Sequence, residues 1–115
     1  MADVLTFARD MLFTSKIREV AKQRGVSVAS LRDAAAFDEL GAGAKLAIVD
    51  LRLPGALEIL AAIKGHATHK GVRTIGFVDH ERTDVMDDAR ARGCDQVMTK
   101  GQFANSLPKL LDFAS

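Results

Sequence analysis

The sequence predicts a three-layer α/β sandwich, a five-stranded parallel sheet with helices on both faces. Three observations carry this. Short apolar runs alternate with longer stretches whose apolar residues recur at helical spacing, about five times over the 115 residues. The run Leu46-Ala47-Ile48-Val49 is apolar throughout, as befits a strand covered on both faces rather than one with a wet side. The links between runs are short, which suits strand–helix–strand crossovers.

The first strand is read at Val4-Leu5-Thr6-Phe7-Ala8. Phe13, Ile17, Val20 and Ala21 follow at helical spacing, and Gly25 after Arg24 stops that helix. Val26-Ser27-Val28-Ala29 alternates as a short second strand, and residues 31–40 suit a helix ended by Gly41. The third strand is the apolar run at 46–49. Leu57, Leu60 and Ile63 make the next helical stripe, with Gly65 past its end. Thr74-Ile75-Gly76-Phe77-Val78 reads as the fourth strand, and Val85, Met86 and Ala89 mark a helix closed by Gly93. Gln96-Val97-Met98 is the fifth strand, and residues 103–113 hold the last helix. The expected arrangement is the flavodoxin-like (βα)5 one, with strand order 2-1-3-4-5, which places a crevice at the carboxyl ends of strands one and three. With no linker, repeat or low-complexity tract, residues 1–115 are read as one domain.

Composition narrows the function classes. Lys plus Arg number 16 and Asp plus Glu 15, a net charge of +1, so there is no global attraction to nucleic acid or to a membrane surface. Trp and Tyr are absent, which leaves little aromatic surface for stacking on bases. No apolar run approaches the roughly 20 residues that cross a bilayer. The start, Met1-Ala2-Asp3-Val4-Leu5, lacks the charged and apolar regions of a signal peptide. Cys94 is the single cysteine, which excludes an internal disulfide and fits a reducing, cytoplasmic compartment.

In such a fold the residues closing strands one, three, four and five face one crevice: Arg9 and Asp10, Asp50, Val78 and Asp79, Thr99 and Lys100. The Asp50 carboxylate and the Lys100 ammonium could simply pair or stay solvated, as strand-end charges usually are. The same two groups also suit phosphoryl transfer, with the carboxylate as nucleophile and the lysine binding the incoming oxygens. Both readings stand at this level.

The segment Ala47-Ile48-Val49-Asp50-Leu51-Arg52-Leu53-Pro54-Gly55 resembles the phosphorylation segment of response regulator receiver domains, where apolar residues lead into the acceptor Asp and a short tail ends in Pro-Gly. Gly93-Cys94-Asp95-Gln96-Val97-Met98-Thr99-Lys100 resembles the family's last strand, in which a Gly stands seven positions ahead of the essential Lys. In the same register the family's switch Thr or Ser falls on Val78. The resemblance covers nearly the whole chain. It implies a phosphoacceptor at Asp50, assisted by Lys100, and a histidine kinase or other signalling protein as partner. It also implies Mg2+, held by Asp50 and an acidic pair after the first strand.

That pair falls on Arg9 and Asp10, so one acid is missing and Mg2+ is expected to be weakly held by Asp10 and Asp50 alone. Arg9 is expected either to pair bidentately with Asp50 in place of the metal or to extend into solvent. Valine at 78 cannot donate the hydrogen bond that the family's hydroxyl makes to the phosphoryl group. The family's aromatic switch position is Val97, and the Pro after its Lys is Gly101, so the usual cis bond is expected to be absent. The Asp50-to-Val78 spacing is short for the family, which implies a trimmed loop around Gly55 and Ala56. Departures fall on the machinery while the core pattern stays intact, which is the mark of a pseudo-receiver.

The remaining features carry less. His66 and His69, between Gly65 and Gly71, are expected to be solvated loop residues rather than metal ligands. Gly41-Ala42-Gly43 precedes a strand, so it is a helix stop and not a dinucleotide fingerprint. Met11-Leu12-Phe13 places apolar residues just beyond the first strand; core packing under the first helix is expected for Phe13 and is open for Leu12, the alternative being an exposed patch for a protein partner. Asp84, Asp87, Asp88, Arg90 and Arg92 read as a solvated helix face that falls on the output surface of receivers. Cys94 is expected in the core. The leading expectation is a non-enzymatic receiver-like module of a bacterial two-component or related pathway. It acts by protein–protein contacts, as a monomer or weak homodimer, with phosphorylation at Asp50 permitted but impaired. The alternatives are a fully working Mg2+-dependent phosphoacceptor and a small enzyme or ligand-binding protein on the same fold.

Overall fold

The computed structural model of the chain describes residues 2–69, 71–79 and 82–114. Strands β1 (Val4–Phe7), β2 (Val28–Ser30), β3 (Leu46–Asp50), β4 (Arg73–Val78) and β5 (Gln96–Thr99) form one parallel sheet in the order β2-β1-β3-β4-β5. Helices α1 (Met11–Gln23), α2 (Phe37–Leu40), α3 (Ala56–Lys64), α4 (Thr83–Ala91) and α5 (Lys100–Ala114) connect and close it. The strand order is the flavodoxin-like one expected.

Successive side chains of a strand point to opposite faces, and the two cores follow that rule. Val4, Leu46, Ile48, Ile75 and Phe77 pack with Ile17 and Ala21 of α1 and Phe103, Leu107 and Leu111 of α5. Leu5, Phe7, Ala47, Val49 and Val78 pack on the other face with Phe37, Ile59, Leu60, Ile63 and Ala89 of α2 to α4. Each such fully buried Leu, Ile or Phe side chain contributes roughly 1.5–3 kcal/mol. The register pairs Asp50 with Phe77 and Val78 with Thr99. The carboxyl ends of β3, β4 and β5 are thereby level with one another, and the site is built there.

Three expectations are corrected, and one left open is decided. The helix at 31–40 shrinks to Phe37–Leu40. The Leu31 N–H still bonds the Thr6 carbonyl at the sheet edge, and Asp33 takes the Ala36 N–H at 2.9 Å in a side-chain turn that competes with helix. β2 begins at Val28, because the Val26 N–H turns back to the Ala21 carbonyl and closes α1 instead of joining the ladder. Leu12 does not pack under α1: it is 86% exposed and Met11 77%, while Phe13 turns inward. His66 and His69 lie in a loop, as expected, but are not solvated there. Their rings stack at 4.2 Å and stand edge-on against buried Phe37, with His66 Nε2 2.8 Å from Asp38.

Candidate functional site

Asp50 closes β3. The Arg52 N–H donates to its Oδ1 at 3.0 Å and the Leu53 N–H to its carbonyl at 3.2 Å, which turns the chain sharply off the strand. Gly55 then enters α3 at φ +93°, a left-handed conformation that a side chain would strain. On β4, Gly76 leaves space for Leu51: a Cβ there would stand 2.7 Å from its methyl. The turn carries Arg52 across to Asp79, just past β4, where the guanidinium and carboxylate form an ion pair with both side chains about half exposed. A crevice of about 280 Å3 lies between, lined by Asp50, Arg52, Phe77, Val78, Asp79 and Lys100.

Lys100 opens α5 rather than closing β5. The Thr99 and Gln102 side chains each accept the other's backbone N–H, at 3.1 and 3.0 Å, a reciprocal cap that fixes the first turn. The ammonium lies 5.2 Å from the centre of the Phe13 ring and bonds Asp10 Oδ2 at 3.1 Å. Asp50 and Lys100 thus line one crevice, but the carboxylate that Lys100 holds is Asp10. The Phe13 ring rests in turn on Phe77 at 4.9 Å and Phe103 at 5.1 Å. An aromatic cluster, partly buried at Phe13 and fully buried at Phe77 and Phe103, therefore supports the lysine from below.

Asp10 caps α1, its Oδ1 accepting the N–H groups of Leu12 at 3.0 Å and Phe13 at 3.2 Å. The hydrogen bond from Lys100, then that from the Phe13 N–H, holds its carboxyl below the usual aspartate range. Arg9 is exposed and forms no ion pair among the described residues, so the pairing with Asp50 gives way to the solvent alternative. Val78 is buried against the α2–α4 core, and Val97 is partly buried on the same side. Cys94 is buried, and that burial pushes its thiol above the ordinary range.

These residues do not fit a divalent cation. Both oxygens of Asp10 are engaged by protein donors, and the neighbouring position is a cation. The other two carboxylates of the crevice are also engaged: Asp79 is ion-paired with Arg52, and Asp50 accepts the Arg52 N–H with Lys100 lining the same crevice. Among the described residues no three His, Cys, Asp or Glu side chains gather as metal ligands. Mg2+ is commonly held by one or two carboxylates with water completing an octahedron; here Asp10 is tied to Lys100 and Asp79 to Arg52, so the carboxylates already face cations.

Sequence reasoning passed over two features. The Thr99-x-x-Gln102 spacing is itself a cap signature and would have placed Lys100 inside the helix. Arg52 and Asp79 carry no local signal, since their pairing depends on how two loops face each other.

No family model matches the chain, and no curated protein does. Solved structures match nearly its whole length. A response regulator receiver domain protein from Clostridium thermocellum superposes with a TM-score of 0.77 at 20% identity, covering 99% of this chain and 94% of that one. The chemotaxis response regulator CheY4 of Vibrio cholerae gives 0.76 at 17% identity, covering 100% and 99%. The Mn2+-bound form of response regulator Rcp1 gives 0.71 at 19% identity, covering 97% and 90%. The chain therefore has the fold of response regulator receiver domains. At such identities the likeness speaks for the fold, and the chemistry rests on the residues above.

Proposed function

We propose that this chain is a divergent receiver-like signalling module that acts through protein–protein contacts, with phosphorylation at Asp50 permitted but impaired. One observation carries the reading: the crevice keeps an aspartate and a lysine at its rims, while the carboxylate that would complete a metal cradle is spent on capping α1 and on Lys100. Asp50 is the acceptor in this reading, Lys100 its electrostatic partner, and Val78 stands where a hydroxyl would respond to the added charge. Exposed Met11 and Leu12 lie at the same end of the sheet, beside the crevice. They offer apolar surface to a histidine kinase or another signalling protein. Among the described residues no helix is long and apolar enough to cross a membrane, in keeping with a cytoplasmic partner. The module carries no enzymatic activity of its own.

The test is incubation with a small phosphoryl donor, with and without Mg2+, followed by intact mass. Slow, partial labelling that Asp50→Asn abolishes and Mg2+ barely changes is the expected result. Complete labelling that requires Mg2+ would overturn the impaired reading and favour a fully working receiver.

A further inference from the structure

We propose that the Arg52–Asp79 ion pair is a charge latch that couples the Asp50 turn to the entry of α4. The inference rests on the receiver-like reading of Asp50 and adds a device that reading does not contain. The two partners belong to different loops. Arg52 belongs to the turn that Asp50 organises, its own N–H bound to the Asp50 carboxylate at 3.0 Å. Asp79 follows β4, and its carbonyl accepts at 3.1 Å the N–H of Arg82, the residue that caps the start of α4. The Arg82 carbonyl then accepts the Met86 N–H at 3.1 Å in the first turn of α4. The ion pair is thus a polar tie between the acceptor loop and the residue that follows β4, across the crevice mouth.

Val78, one residue before Asp79, presents only methyl groups and cannot bond an oxyanion. Arg52 can, because a guanidinium has five N–H donors in a planar fork that suits carboxylate and phosphoryl oxygens alike. An anionic group on Asp50 lies in the same crevice and competes with Asp79 for that guanidinium. When the competition succeeds, Asp79 is released, and the start of α4 at Arg82 loses its tether. The crevice thereby reads charge at Asp50 through an exchange of partners at Arg52 rather than through a moving hydroxyl.

The pair is half exposed, so its contribution is modest: a bond worth up to about 1 kcal/mol changes a local opening equilibrium by at most about fivefold. Amide hydrogen exchange reads this directly. It is measured at Arg82 and Met86, with Leu107 of α5 as control, in the unmodified chain and in Arg52→Gln, Asp79→Asn and the double variant. No phosphoryl donor is added. Each single variant should raise exchange at Arg82 and Met86 roughly two- to fivefold, and the double variant should add nothing further, because one bond is lost in every case. High salt should move the unmodified chain towards the variants. Unchanged exchange in the single variants, or effects that add in the double, would overturn the latch. A chain never phosphorylated on Asp50 still gives the expected pattern, so failure of the phosphoacceptor reading appears only in the mass experiment and failure of the latch only here.

Discussion

Replacing Phe13 with leucine should loosen core and crevice together. The ring faces Phe77 at 4.9 Å and Phe103 at 5.1 Å, both fully buried, and carries the Lys100 ammonium 5.2 Å from its centre. Leucine retains most of the apolar burial but neither ring contact. Each aromatic pair contributes about 0.5–1.5 kcal/mol beyond area, and a partly exposed cation over a ring about 0.5–1 kcal/mol. A loss on the order of 2–3 kcal/mol follows. For a chain of 115 residues the unfolding entropy makes this a fall of roughly 8–12 °C in Tm. Urea denaturation should show the midpoint dropping with the slope unchanged. Combining Phe13→Leu with Lys100→Met should give less than the sum of the two, by about 0.5–1 kcal/mol, since both remove the same ring–cation contact. A loss below about 0.5 kcal/mol for Phe13→Leu would refute the claim that the aromatic cluster supports the lysine.

Asp10 sets a pH dependence. Its carboxyl is depressed in the folded chain, chiefly by Lys100, so its stabilising contribution is complete above the ordinary value of about 3.9 and is lost as acid carries the pH down through the folded value. Lys100→Met should return the Asp10 titration towards the ordinary range in carboxyl NMR, and an unmoved titration would show that the helix cap alone sets it. Gly76→Ala should cost roughly 1–3 kcal/mol in chemical denaturation, because the new methyl meets buried Leu51 at 2.7 Å; a neutral result would mean that Leu51 repacks freely beside Asp50. Cys94, buried with its thiol pushed up, should resist alkylation at neutral pH until the chain is unfolded by denaturant, and fast labelling of the folded chain would contradict that burial.

The layers were legible because burial is written into local composition. Leu46 to Val49 could hardly be anything but a covered strand, and Ile17, Ala21, Leu60 and Ile63 mark helix faces by spacing alone. The α2 region was not legible in the same way. Residues 31–36 have helical composition, yet one aspartate side chain and one sheet-edge hydrogen bond divert them. Asp10, Asp50 and Lys100 could be placed at one end of the sheet from topology. Their partners could not, since Lys100 chooses between two carboxylates by the reach of a side chain from the first turn of α5. At Met11 and Leu12 packing and exposure both stayed open for a related reason: hydrophobic character says what a residue prefers, not which way a helix is rotated at its first turn.

The two rims of the sheet have a consequence for how this chain meets others. The outermost strands, β2 and β5, run only three and four residues. Ladders that brief expose few bare amides and carbonyls to an incoming strand, and a foreign segment aligned on them gains little before it runs past the end. Zipping on an extra strand is therefore a poor route to association for this molecule, which leaves its helices and the loops that join them as the larger surface for contact.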